Sequence, residues 1–357
     1  MSRPHARTHR LEICLVAATG AALLFMGAPI GRAQTAKAAP KGGAPVAVDP
    51  LPTTPPTFDT MASPPDNPTT PEKAALGRML FFDKRLSGDG RRSCYSCHLN
   101  EHGLTDGRPT AVGAFGKPLT RNSPTLWNIG YHRELYWGGR SDSLEGQAMA
   151  AWKGANMGAN PDQAVRKIAD LPGYRKRFQE VFGGPATPDN VVKAIAAFER
   201  TILCGDTRYD RYEQGEASAM NEQEIRGFEI FKGKGSCTNC HVGSLLTDTL
   251  YHNVGVGMSL KEPDVGRKKV TKEEKDTGAF KTPTLRDITR TAPYFHNGSV
   301  KTLEEAVDVM ARGGIDNPFL DREKLADRNL TTGEKSDLVA FLHALECPGR
   351  LETPKLP

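Results

Sequence analysis

CYSCH, Cys94 to His98, returns later in the chain as CTNCH, Cys237 to His241. Each stretch sets two thiols three residues apart and puts an imidazole directly after the second. Paired cysteines in an exported chain ordinarily form a disulfide framework, but that reading leaves both histidines without a task. A structural zinc site gathers four ligands, usually from two C-x2-C units, and does not ask for a histidine beside each pair. A haem does: two thiols add to its two vinyl groups, and the next imidazole reaches the iron from the same side. Two clusters of this kind predict two covalently bound c-type haems, anchored by Cys94, Cys97, Cys237 and Cys240, with His98 and His241 facing the irons.

Export is read from the first 33 residues. Four arginines, two histidines and one acid surround the apolar run LEICLVAATGAALLFMGAPI, and GRA precedes Gln34, the pattern of a secretory signal with a small-residue cleavage site. An uncleaved anchor is the alternative, weakened by the Gly, Thr and Pro that interrupt the run. A periplasm is the compartment this implies. Losing the signal lowers the formal charge from +5 to about +2, a balance that favours no nucleic acid. Of the seven cysteines, Cys14 lies in the leader and four belong to the haem clusters. Cys204 and Cys347 remain, either bridged by an oxidising compartment or buried as inert thiols.

Residues 34–70 are rich in Pro, Ala and Thr and lack an apolar period, which describes an arm. Helical order begins at Pro71, with Thr70 as cap. After the first cluster comes a Gly-rich stretch with few helix signals. Helices are expected in SLEGQAMAAW, PDQAVRKIADLPGYRKRFQEVF, TPDNVVKAIAAFERTIL, NEQEIRGFEIFKGKGSCTNCH, which delivers the second cluster, TLEEAVDVMARGG and TGEKSDLVAFLHAL, and strand signals are weak. The expected fold is all-α: two cytochrome c-like helical domains, residues 71–205 and 206–345, one haem each, with little β structure and a tail from 346 to 357.

The residues LGRMLFFDKRLSGDGRRSCYSCH, GLTDG, RNSPTLWN, YWGGR, CTNCH, FKTPTLRDITRTAPYFHNGSV and TLEEAVDVM, in that order, resemble the bacterial di-haem cytochrome c peroxidase family. That family includes the MauG type, which matures a tryptophan-derived quinone in a partner protein. The likeness spans Pro71 to Leu345. It implies that peroxide reacts at the N-terminal haem and that electrons enter at the C-terminal one. Met310 falls where the family places a thioether ligand to the second iron, a soft donor that raises the potential. Met258 and Tyr294 are its rivals, tyrosine being the ligand of the MauG type. Trp137 matches the family's inter-haem indole. Asn122, with the backbone carbonyls of Thr291 and Pro293, matches its calcium position, where oxygen donors suit a hard cation.

Two departures concern the first haem. Relatives in the resting state hold a histidine on its open face, and here VGAFGKPLTRNSP puts Ala114 at that place. His102 is too near His98 to reach around, and His132 reads as a surface residue, so the expectation is a vacant position. Gln147 keeps the family's pattern, but Asn156 stands where a proton-transferring glutamate belongs, and an amide cannot shuttle a proton, which leaves Glu145, Asp142 or water as substitutes.

The function expected is therefore a cytochrome-c peroxidase type oxidoreductase in the periplasm. It would reduce hydrogen peroxide with electrons from a small cytochrome c or cupredoxin, with Gln147, Trp137 and Asn156 at the reacting end. A MauG-like oxidation of a partner's aromatic side chain, or a non-catalytic di-haem carrier, are the alternatives. A homodimer is allowed by this reading and not required by it.

Overall fold

The computed structural model describes residues 48–357. The leader and residues 34–47 of the arm lie outside the described residues, so the signal-peptide expectation has no structural counterpart. Among the described residues ten α-helices carry the fold: α1 (Pro71–Phe82), α2 (Leu144–Lys153), α3 (Pro161–Ala169), α4 (Pro172–Phe182), α5 (Pro188–Glu199), α6 (Arg208–Glu213), α7 (Glu222–Lys232), α8 (Lys268–Thr271), α9 (Leu303–Ala311) and α10 (Thr332–His343). The only sheet among the described residues is a two-residue antiparallel pair, β1 (Tyr251–His252) with β2 (Phe280–Lys281). No described helix is long and apolar enough to cross a membrane.

The helix starts follow from the sequence. Thr70, Ser143, Asn160, Thr187, Thr207, Asn221, Thr302 and Thr331 each accept a backbone N–H of the first turn. These side chains satisfy donors that the helix itself leaves unpaired. Proline opens α1, α3, α4 and α5, where its missing N–H costs nothing. Pro172 also splits the long stretch from Pro161 to Phe182 into α3 and α4.

Two large apolar cores form among the described residues, and each is organised by one helix crossing. In the first, α1 lies across α5, with Leu76, Leu80, Phe81, Val191 and Phe198 buried between them. In the second, α7 lies across α10, burying Phe228, Phe231, Phe341 and Leu342. The crossings use the same device. A methyl group added at Gly77 would run into the Ala194 carbonyl, and one added at Gly227 into the Asp337 carbonyl. Phe198 and Phe341 sit four residues beyond those carbonyls and close both crossings.

A second repeated segment supports the wall between the cores. SPTLWNI, from Ser123, matches TPTLRDI, from Thr282. Asn128 and Asp287 hold equivalent positive φ values of 59° and 62°, each starting a single 3-10 turn. Tyr136 and Phe295 repeat the pattern at 67° and 66°, inside the paired turns Leu135–Ser141 and Tyr294–Val300. Arg286, fully buried, binds both oxygens of Asp210 at 2.7 Å and locks the second segment to α6.

The chain ends reinforce the first core. Cys204 and Cys347 are bridged, across a separation of 143 residues, which settles the two alternatives for these thiols. Beyond the bridge, Leu351 and Asn100 exchange two hydrogen bonds of 2.8 and 2.9 Å. The arm from residue 48 is irregular but attached. Phe58 is buried under Arg286, and Asn67 is fully buried, bonding to Glu145 and Lys73.

Gly77→Ala and Gly227→Ala should each lower stability. Alanine returns about 1 kcal/mol of helix propensity, but forcing the crossing apart costs about 1–3 kcal/mol, and a carbonyl in the path puts these sites at the upper end. Equilibrium denaturation of each variant checks this, and unchanged or raised midpoints would show that the crossings are not close-packed.

Candidate functional site

Each CxxCH stretch forms one 3-10 turn, Cys94–Ser96 and Cys237–Asn239, and each opens on a cavity. The first cavity has a volume of about 530 Å³ and is lined by Cys94, Cys97 and His98 together with Leu126, Ile195 and Trp152. The second, about 210 Å³, is lined by Cys237, Cys240 and His241 with Phe231, Leu303 and Val307. The four cysteines are unbridged in a chain that does form a disulfide elsewhere. Burial pushes the Cys94 and Cys97 thiols up, and the Cys237 thiol up to about 11.

Both imidazoles are oriented alike. His98 donates from Nδ1 to the Leu104 carbonyl at 2.9 Å, and His241 donates from Nδ1 to the Leu246 carbonyl at 2.9 Å. A carbonyl can only accept, so in each ring Nδ1 carries the proton and Nε2 keeps its lone pair. Burial lowers both imidazoles, His98 to about 4 despite its carbonyl bonds, so both are neutral near pH 7. Paired free thiols, an adjoining imidazole with a free Nε2 and an apolar chamber fit a covalently held haem at each cluster.

The predicted site residues divide between the chambers. Gln147 and Asn156 both line the first. Met310 and Tyr294 both line the second, whereas Met258 packs against Gly278 away from its wall. The Tyr294 hydroxyl donates to the Ile288 carbonyl at 3.2 Å, and burial pushes its phenol up to about 12. Trp137 lines both chambers and donates from Nε1 to the Asn122 carbonyl at 2.9 Å.

His98 is the one imidazole lining the first chamber. The His102 ring lies over Gly107, and Ala114 is buried with its N–H directed at the Ala155 and Asn156 carbonyls. His132 corrects its surface reading: it is half-buried, with Lys281 Nζ donating to Nδ1 at 3.3 Å. Burial and the Lys281 charge hold its imidazole down at about 3.

Asn122, Thr291 and Pro293 line a third, smaller cavity of about 100 Å³. There Asn122 Nδ2 donates to the carbonyls of Arg108, at 2.7 Å, and Pro293, at 3.3 Å. Cys240, Asp248 and His252 also lie close enough together to hold a metal ion. Cys240 belongs to the second haem cluster, however, and His252 is already engaged between Asp321, at 2.6 Å, and Asp248, at 2.9 Å.

Residues that sequence reasoning missed build the wall around Trp137. Arg121 pairs with both oxygens of Asp264 at 2.6 and 3.0 Å and lies over the Phe280 ring. Phe280 stacks on His296 with centroids 3.6 Å apart, and His296 meets Trp137 edge-on at 6.5 Å. Burial lowers the His296 imidazole to about 4, so this layer carries an uncharged ring beside the indole.

Comparison with known proteins agrees with the geometry. The family model described as di-haem cytochrome c peroxidase matches residues 71–218, and one described as RoxA-like, cytochrome c-like, matches residues 279–314. The chain is 37% identical over 305 residues to the methylamine utilization protein MauG of Methylorubrum extorquens, covering 84% of this chain and 85% of that one. It is 38% identical over 282 residues to the cytochrome c551 peroxidase of Nitrosomonas europaea, covering 78% and 81%. Among solved structures, a MauG-like protein associated with microbial copper homeostasis superposes with a TM-score of 0.77 at 34% identity, over 84% of this chain and 97% of that one.

Asp264→Asn should loosen the Trp137 wall and cost about 1.5–3 kcal/mol, the range for hydrogen bonds to a charged group. Burial raises the Asp264 carboxyl, but the Arg121 and Lys269 bonds outweigh it and hold it well below the usual carboxylate range. A depressed carboxyl stabilises the fold above its unfolded pKa, about 3.9. The wild-type advantage in thermal unfolding should be full at neutral pH and shrink as pH falls below about 4. An advantage independent of pH would contradict this.

Proposed function

The chain belongs to the di-haem cytochrome c peroxidase family, and from that membership we propose that it reduces hydrogen peroxide to water at the first cavity with electrons received at the second. It is an oxidoreductase of the cytochrome-c peroxidase type. The observation that carries the reading is Trp137, which lines two chambers that each contain a CxxCH cluster with its imidazole oriented by a carbonyl. Covalently bound haem would supply an iron that binds peroxide in one chamber and one that only exchanges electrons in the other.

The chain's own residues set that difference. Beside His98, the lining side chains of the first chamber include no second imidazole and no methionine thioether other than Met157, which sits in the apolar core. Gln147 and Asn156 offer amides that hydrogen-bond a small polar molecule and orient it, but neither exchanges a proton. In the second chamber Met310 supplies a soft sulfur, the donor that suits electron transfer. The Tyr294 hydroxyl is taken up by the Ile288 carbonyl, which favours Met310 over the tyrosine ligand of the MauG type. Trp137, in an uncharged aromatic layer, is the easily oxidised ring between the two.

Electrons would come from a small cytochrome c or cupredoxin. A periplasmic home is supported by the leader sequence and by the Cys204–Cys347 bridge, which persists in an oxidising compartment. A calcium ion at Asn122, Thr291 and Pro293 belongs to the same proposal, supported by their convergence on one cavity. Binding there needs the Asn122 amide turned to present Oδ1.

Holoprotein as isolated, without prior reduction, should oxidise reduced cytochrome c when peroxide is added. Activity that appears only after reduction would show that a protein ligand closes the first chamber in the oxidised state.

A further inference from the structure

Reduction of peroxide needs a group that exchanges protons with its oxygens, and the amides that line the first chamber, Asn122, Gln147 and Asn156, cannot do so. Among the side chains that line this chamber there is one carboxyl, Glu199. It is the last residue of α5, one helical turn beyond Ile195, and the pair presents one face of the helix to the chamber. Glu199 is 5% exposed, and its Oε2 has no hydrogen-bond partner. A buried carboxylate oxygen without a partner is costly, whereas a neutral carboxyl tolerates the site far better.

We propose that Glu199 is the proton-holding residue of the first chamber, the carboxyl that gives a proton to a peroxide oxygen there and later regains one from solvent. The inference rests on the peroxidase reading above. The surroundings keep the proton on the carboxyl at neutral pH. Burial raises the group most, Arg200 on its own helix opposes this, and Glu145 from α2 adds to it, with the result near 8. Arg200 binds Glu145 Oε1 through Nη2 at 2.8 Å, and although its Nη1 is buried and unpaired, no hydrogen bond joins that nitrogen to Glu199 Oε2, so its charge only partly offsets the burial. Glu145 also accepts from Asn67, which holds Lys73 of α1 through a 2.8 Å bond, so those charges are tied to one another. The remaining titratable group facing Glu199 is Cys94, which thioether formation makes permanently neutral.

The chemistry balances. As the O–O bond breaks, the leaving hydroxide keeps the bonding pair and takes the Glu199 proton, which makes one water and a carboxylate. The other oxygen, two electrons short, becomes the second water by keeping its own proton and taking two electrons from the redox partner and one proton from solvent. Solvent returns the proton to Glu199. A residue that holds its proton to about pH 8 delivers it across the physiological range and fails in alkali.

The test uses haem-loaded wild type, E199Q and E199D. Infrared pH-difference spectra of wild type should show a protonated-carboxyl stretch that disappears between neutral and mildly alkaline pH and is missing from E199Q. In stopped flow at neutral pH, the peroxide reaction of E199Q should slow at least tenfold, with haem content unchanged and part of the rate restored in E199D. The wild-type rate should fall on the alkaline side of the carboxyl titration, and the E199Q rate should not. If wild type shows no such titrating carboxyl, the proposal is overturned even where E199Q fails to fold. If wild type consumes peroxide and E199Q matches its rate and pH profile, this role alone falls. If wild type consumes no peroxide, the peroxidase reading falls and this role goes with it.

Discussion

A free imidazole can offer either nitrogen to a neighbouring chamber. In both halves of this chain a main-chain carbonyl removes that choice by accepting from Nδ1. Leu104 and Leu246 provide the carbonyls, both buried and both at positive φ, 62° and 51°. A leucine in that conformation costs roughly 1–2 kcal/mol, and finding it at the same place twice ties the strain to the orientation of the ring. The thiols follow from the same turn, since three residues of 3-10 geometry set both cysteines and the histidine along one rim of the chamber. Everything downstream, from haem fit to the division of labour, requires this fixed Nε2.

What distinguishes the halves is what else reaches each chamber. The repeated crossings Gly77–Ala194 and Gly227–Asp337, and the repeated SPTLWNI and TPTLRDI segments, build two versions of one scaffold. On it, the first half places three amides and a buried carboxyl around a chamber of about 530 Å³, and the second places a thioether in one of about 210 Å³. Amides and a carboxyl at a cavity wall can hydrogen-bond a small polar molecule, and a soft sulfur is a donor suited to electron exchange. The aromatic layer of Phe280, His296 and Trp137 lies where the two scaffolds meet.

Much of this was legible beforehand, because its signals are local. CxxCH needs five residues, a capped helix start needs four, and proline marks its own position. The placing of Gln147, Asn156, Met310 and Trp137 in the chambers came from resemblance, and the structure puts each at a cavity wall. The Cys204–Cys347 bridge stayed open because sequence does not say whether two buried thiols 143 residues apart come within bonding distance. Glu199 was hidden inside a regular helical period, although an acid one turn after Ile195 in VVKAIAAFE is the kind of interruption that signals a buried carboxyl. His132 misled because a histidine among charged residues reads as solvated, while its neighbour Lys281 is remote in sequence. The attachment of Phe58 and Asn67 was masked by a proline-rich composition that records the absence of a helix, not the absence of contacts.

The most direct measurement is low-temperature electron paramagnetic resonance on the oxidised holoprotein. One high-spin ferric signal, from an iron held by His98 alone, beside one low-spin signal that Met310→Ala converts to high spin, is the predicted result. Two low-spin signals, with neither altered by Met310→Ala, would contradict the asymmetry between the chambers and leave a chain that only conducts electrons.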